Sequence, residues 1–255
     1  MRIDLEYLVQ LQGPIHVGSG VGFARMVDDL MVRTSLPDRP EVEVPYIPGS
    51  TIKGRVRANS RRLADLLGLT VCNRGGQDRV CKQLPCIQCR LFGSTFFPGE
   101  LNFQDSLLTL DWQTLALLPH SRRDDGLAPL ALSSIRQGNQ LERGTRTTQP
   151  DFLFSMEHTA EQLRFTGKIT GSFTPAHPEG WTSLLPQECW MLISSLQMVD
   201  KIGGMKGRGL GRCKVQVSAL RVDNTEWSTE DLDLFLYDQE SLDDLRRYES
   251  DQTPS

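Results

Sequence analysis

Alternating apolar and polar positions mark four strands, and a 3.6-residue apolar period marks two helices. Residues 3–11 carry Ile3, Leu5, Tyr7, Val9 and Leu11 at every second position, as expected of a strand with one buried face. Residues 50–67 set Ile52, Val56, Leu63, Leu66 and Leu67 on one helical face, with Ser50 at the position of an N-cap. Residues 101–110 read as a second strand, and residues 163–173, with Leu163, Phe165, Ile169 and Phe173, as a third. Residues 184–200 space Leu185, Cys189, Leu192, Ile193, Leu196 and Val199 for a second helix. Residues 211–222 alternate Cys213, Val215 and Val217 as a last strand. Cys189 and Cys213 sit inside these apolar patterns and read as small core residues. The order β-α-β-β-α-β predicts an α+β, ferredoxin-like core.

Such a core needs far fewer residues than the 255 present. The surplus lies in three insertions, 12–49, 68–100 and 111–162, too long for plain connections and therefore expected to carry function. We read residues 1–222 as one elaborated domain, with no internal repeat. At 38% hydrophobic and 24% charged residues, the composition excludes a disordered chain. No run of about 18 apolar residues occurs, so no membrane helix is expected. Acids at Asp4 and Glu6 stand where a signal peptide needs apolar residues, which predicts a cytoplasmic location. The net charge of -4 hides a division. Residues 223–255 hold 11 acids and 2 bases, while the rest of the chain has a net charge of +5. The acidic segment is expected to be a solvated tail or a docking arm, and the body is mildly basic.

Four cysteines, Cys72, Cys81, Cys86 and Cys89, follow the spacing C-x8-C-x4-C-x2-C. Zinc favours four thiolates in a tetrahedron, and a C-x2-C pair can turn two sulfurs toward one ion. Disulfides are not expected in a reducing compartment. The segment is poor in apolar residues, so a bound metal would supply stability that its own core cannot. With all four positions filled by cysteine, a zinc ion here is structural, with no place for a reacting water.

Two further segments carry residues suited to phosphate, the first of them readable also as a flexible tight turn. Residues 202–212 hold five glycines with Lys206, Arg208 and Arg212 among them. Glycines let a backbone approach a phosphate and offer it N–H groups. The loop is neither a Walker loop nor a dinucleotide fingerprint, because it opens a strand and not a helix. The first helix carries Lys53, Arg55, Arg57, Arg61 and Arg62 with no acid between them, after Pro48-Gly49-Ser50. A helix start of this kind can seat an anion; a solvated basic face is the alternative.

The motifs also occur in a familiar order. Ile15-His16-Val17-Gly18-Ser19-Gly20, Val27-Asp28-Asp29-Leu30-Met31-Val32-Arg33 and Tyr46-Ile47-Pro48-Gly49-Ser50-Thr51-Ile52-Lys53-Gly54-Arg55-Val56-Arg57 resemble the N-terminal half of the RAMP superfamily. Cys89-Arg90-Leu91-Phe92-Gly93 and the loop from Ile202 to Arg212 resemble elements that follow in it. More narrowly, the set looks like the repeated backbone subunit of type III CRISPR effector complexes. The resemblance spans about residues 3–222 and leaves the acidic segment uncovered.

The resemblance implies binding to a guide CRISPR RNA that pairs with a single-stranded target RNA. It also implies assembly with other effector subunits: backbone paralogues, a large polymerase-like subunit and a small subunit. Base pairing would then choose the sequence, and the protein would need mainly backbone contacts. This agrees with the lack of an aromatic RNA-reading string. Residue by residue, Asp28 matches the loop aspartate that cuts target RNA, with Asp29 adjacent as the other match. Cleavage would use Mg²⁺ or another divalent cation. Where the family often has a proline two residues after the aspartate, this chain has Leu30. Ser50, Lys53 and Arg57 match the guide-contacting helix start. Gly203, Gly204, Lys206, Arg208 and Gly209 match the glycine-rich loop. Arg136, Arg143 and Arg146 match a thumb hairpin that wedges into the guide–target duplex. Two alternatives remain: a non-catalytic RNA-binding subunit that docks its neighbours, and a guide-processing endoribonuclease with His16 as general base. The residues favour a structural part for His16, since spacing fixes no catalytic partner for it.

Overall fold

A computed structural model describes residues 1–20, 27–72, 81–82, 84–111, 132–142, 144–173, 175 and 185–237. The elements in chain order are β1 (Arg2–Leu11), β2 (Arg33–Leu36), β3 (Arg39–Pro45), α1 (Gly49–Leu67), α2 (Ile87–Phe92), β4 (Leu101–Phe103), β5 (Leu107–Leu108), β6 (Ser133–Leu141), β7 (Thr148–Thr159), β8 (Arg164–Ser172), α3 (Gln187–Gln197), β9 (Cys213–Val222), β10 (Thr225–Trp227) and α4 (Thr229–Tyr237).

The main sheet runs β10-β9-β1-β8-β4, every pair antiparallel, with β5 also on β8. Taken as a β-α-β-β-α-β unit, this is the order fourth-first-third-second, compatible with a ferredoxin-like arrangement. β1 lies at the centre because its alternation buries Ile3, Leu5, Tyr7, Val9 and Leu11 on one side. α1 and α3 cover that side, placing Ile52, Val56, Cys189, Leu192, Ile193 and Leu196 in one core with β1. Cys189 and Cys213 are buried there, as their apolar settings predict. The apolar face of α1 is narrower than its periodicity suggests. Leu66 is 77% exposed, and Asn59 and Ser60 face inward instead. Asn59 can be buried because its Nδ2 donates to the Ser195 carbonyl of α3 at 3.2 Å.

Four sequence expectations are corrected. The strand expected over 101–110 is split into β4 and β5. Between Phe103, opposite Ile169, and Leu107, opposite Thr166, the edge strand holds one residue more than its partner, which is a bulge. The bulged residues hold the chain that leads into α1. Ser106 exchanges backbone hydrogen bonds with Ile47 (2.8 and 3.0 Å), and its hydroxyl bonds the Tyr7 phenol at 3.0 Å. Burial pushes that phenol up to about 12, against the hydrogen bond from Ser106.

Ser50 does not cap α1. The helix begins at Gly49 after Pro48, and the Gly49 N–H is taken by the Asp105 carboxylate at 2.8 Å. Glycine is required at 49 because a Cβ would lie 1.9 Å from the Phe103 carbonyl.

The segment expected to be a solvated acidic tail begins as core structure. β10 extends the sheet, and α4 buries Leu232 and Leu236. Ser228 and Asp231 exchange backbone-to-side-chain bonds of 3.1 Å at the start of α4, a reciprocal cap. The acids fall on the outer face of this helix, which is why charge alone misplaced the boundary. Residues 238–255 lie outside the described residues. The second helix starts later than the expected 184, at Gln187 behind Pro186, a residue suited to helix starts.

Two hairpins stand on this core: β2–β3 from the first insertion and β6–β7 from the third. They are joined through Glu157 of β7, whose side chain is wholly buried. Its carboxylate accepts from the Met31 N–H (2.9 Å), the Ser133 hydroxyl (2.6 Å) and Arg33 Nε (3.1 Å), and pairs a second time with Arg33 Nη2. Arg33 also donates to the Glu43 carbonyl of β3 at 2.9 Å. Removing one partner of such a pair leaves a buried charge without compensation. Arg33→Met is expected to cost ~3–5 kcal/mol, read as a fall in the urea midpoint. The double variant Arg33→Met/Glu157→Gln should lose less than the sum of its two single changes.

Candidate nucleic-acid interface and metal centre

The cysteine cluster is assembled from three places. Cys72 follows α1, which ends at Gly68 in the left-handed conformation (φ 76°). Cys86 is the residue before α2, Cys89 lies within α2, and Cys81 precedes both. The four sulfurs all lie within 4.8 Å of one another, with Cys72 Sγ and Cys89 Sγ at 3.2 Å. A tetrahedron with Zn–S of about 2.3 Å puts sulfurs about 3.8 Å apart, so the donor set fits a metal such as zinc. Burial pushes the Cys81 and Cys89 thiols up. Burial acts on Cys86 too, but hydrogen bonds from the backbone of Cys72 and Cys89 outweigh it and hold Cys86 below the ordinary thiol range. α1 grips this knuckle from its polar side: Arg61 donates to the Cys72 carbonyl (3.0 Å), and Arg57 to the Gly93 carbonyl (3.2 Å). Arg90 of α2 pairs with the buried Glu188 of α3 at 2.8 Å.

The aspartate loop lies against β7. Asp28 is exposed; its backbone N–H donates to the Ser155 carbonyl at 2.9 Å, and its Oδ2 accepts from the Ser155 N–H (2.6 Å) and hydroxyl (3.2 Å). Asp29 turns the other way, and its Oδ2 lies 3.0 Å from His16 Nε2. Its Oδ1 is buried and without a hydrogen-bond partner. His16 Nδ1 meets the Glu157 carbonyl at 2.5 Å, and His16 is 5% exposed. With both ring nitrogens so engaged, His16 holds the loop and presents no base to solvent. Gly18 leaves room for this pairing, since a Cβ there would lie 2.6 Å from Asp29 Oδ2.

The glycine-rich loop closes on the same histidine. The Gly204 N–H donates to the His16 carbonyl at 2.8 Å. Gly203, at φ 82°, would bring a Cβ to 2.2 Å from that oxygen. Ile202 and Gly211 close the base of the loop through a 2.9 Å bond, and Lys206–Arg208 form a single 3-10 turn at its tip. The loop also meets α1: Arg55 lies 3.7 Å from Asp200. Burial, and then the nearby Arg55 charge, hold the Lys206 ammonium below the ordinary lysine range, with Asp200 opposing. Of the basic run of α1, Arg55 is the residue that comes near the glycine-rich loop.

Not every predicted contact residue lies near this loop. Ser50 is exposed at the start of α1, where Asp105 already takes the Gly49 N–H. Lys53 lies over the Phe103 ring at 5.8 Å, and Arg57 is spent on Gly93. Arg136 is exposed on β6, opposite Met156. Arg146 stands in the β6–β7 turn at φ 58°, and Arg143 lies outside the described residues. Arg208 lies over the Phe154 ring of β7 at 5.5 Å, so the glycine-rich loop and the hairpin touch. Sequence reasoning missed His16–Asp29, Arg33–Glu157 and Arg208–Phe154. No spacing signals them, because each joins segments that only the fold brings together.

The α+β sheet, the aspartate loop and the glycine-rich loop define a class of RNA-recognition-like proteins with elaborated loops. The chain belongs to the RAMP superfamily, whose family model matches residues 9–214. No curated protein matches the sequence. Among the described residues no helix is long and apolar enough to cross a membrane.

Purified protein is expected to carry about one zinc per chain, measured by elemental analysis. Cys86→Ser and Cys89→Ser should each reduce it to less than about half an equivalent. Chelation should lower the melting temperature, since metal binding at such a site is coupled to folding.

Proposed function

We propose that this protein binds a guide CRISPR RNA as a backbone subunit of a type III effector complex and cuts the guide-paired target RNA. Membership of the RAMP superfamily supports a CRISPR-associated RNA-binding role. The observation that carries the finer reading is the convergence on His16. The aspartate loop reaches it through Asp29, β7 through the Glu157 carbonyl, and the glycine-rich loop through Gly204. These three segments are the ones that the resemblance links to cutting, wedging and guide binding.

In this reading Arg55, Lys206 and Arg208 track phosphates, while hairpin β6–β7 acts as the thumb. RNA is cut when its own 2′-hydroxyl oxygen attacks the adjacent phosphorus, forming a 2′,3′-cyclic phosphate. The bond to the next nucleotide's 5′-oxygen breaks, and that oxygen takes a proton from water. The protein must hold the nucleotide in line. Asp28 is exposed and carries a carboxylate suited to take the hydroxyl proton. Asp28 also carries the exposed carboxylate that would hold a divalent cation, an ion that would offset charge on the phosphate. The second reading, a guide-binding subunit without cleavage, is favoured by one contact: Ser155 already holds Asp28 Oδ2 twice.

The two separate in a reconstituted complex. Asp28→Ala is expected to leave guide binding intact and to slow target cleavage at one site by at least ~100-fold. Cleavage that continues undiminished would leave the non-catalytic reading. Loss confined to Asp29→Ala would move the catalytic role to Asp29.

A further inference from the structure

Where the glycine-rich loop meets hairpin β6–β7, a cavity of about 130 Å³ opens, lined chiefly by Phe154, Met156, Met205, Leu210, Arg136 and Arg208. We propose that this cavity receives one unpaired nucleobase, stacked on Phe154, with the nucleotide's phosphate held by Arg208 and Arg136. The inference rests on the RNA-binding reading above and adds to it a contact that reads a base and not the backbone.

The walls specify the occupant. Two thioethers and a leucine make them apolar, and two exposed guanidiniums supply positive charge at the rim. An apolar slot with a cationic mouth fits a flat ring that bears an anion. The volume is well below the ~300–1,000 Å³ of sites for drug-sized ligands, so it suits a single ring system with the sugar and phosphate left outside. The Phe154 ring is held in place, because Gly138 opposite it has no side chain and a Cβ there would come 2.6 Å from the ring. Phe154 is half-buried, and Arg208 lies over its ring at 5.5 Å. A guanidinium over a ring is a weak, exchangeable contact, and bases stack on aromatic rings more strongly. An incoming base would replace the guanidinium on the ring, and the freed Arg208 would turn to the phosphate. Phe154 and Met156 line the cavity, while Ser155 between them holds Asp28 from the opposite face of β7. A base seated here would therefore place its nucleotide across one strand from the aspartate loop.

The test uses the full chain. In Phe154→Trp, fluorescence beyond that of the wild type should be quenched by ribonucleoside 5′-monophosphates and not by ribose 5-phosphate. No added quenching, or equal quenching by ribose 5-phosphate, would overturn the proposal. Phe154→Leu, which keeps an apolar side chain over Gly138, should weaken single-stranded RNA binding roughly tenfold. That loss should vanish on RNA lacking the base at one position; a loss that is the same for every abasic position would also overturn it. RNA binding indifferent to residue 154 would sink the pocket and spare the RNA-binding role. Nucleotide quenching by a protein that binds no RNA would sink that role and leave the pocket standing.

Discussion

A buried carboxylate governs the part of this molecule that differs from a plain β-α-β-β-α-β core. Glu157 is wholly enclosed, and a charge in that position is tolerable only if every oxygen is met. Arg33 and Met31, from the stretch that runs from the aspartate loop into β2, and Ser133 of β6 meet it. The need to satisfy one charge thus fixes where hairpin β6–β7 stands over the core and where the aspartate loop runs. It also sets His16, since the same residue's carbonyl faces the imidazole. Little apolar burial is available there: Leu153 and Ile135 of the hairpin are 67% and 50% exposed, so polar anchoring replaces a second core.

The same economy appears on the opposite flank. The cysteine segment has few apolar residues, and its order depends on sulfur geometry and on two arginines of α1 that bind carbonyls on either side of the cluster. These arginines explain why the basic run of the first helix is not simply a phosphate face. Arg57 and Arg61 work inward, while Arg55 turns toward Asp200 and the glycine-rich loop. A charge run on a helix divides its members among neighbours according to the 100° step of the helix, and composition does not reveal the division.

Much of the core was legible. β1, β8, β9 and both covering helices follow from periodicity, because a half-buried strand and an amphipathic helix each impose a repeat on the chain. The cysteine cluster was legible from spacing. The bulge between β4 and β5 was not, because its cause is Gly49 lying against the Phe103 carbonyl and Asp105 reaching the helix start. The ordered start of the acidic segment was missed for a similar reason: Leu232 and Leu236 are too few to show a period among so many acids.

By itself, then, the sequence determined the α+β class, the order of core elements, the four cysteines that cluster and the motifs that mark the RAMP superfamily. All of these depend on local repeat or local spacing. Tertiary structure decided which of two adjacent aspartates faces outward and which is held by His16. It also decided that Arg55 of α1 comes near Lys206 of the glycine-rich loop, and that Arg208 and Phe154 flank a cavity. Each of these joins residues on separate segments, and burial, hydrogen-bond satisfaction and charge pairing between distant segments leave no mark on the spacing within either one.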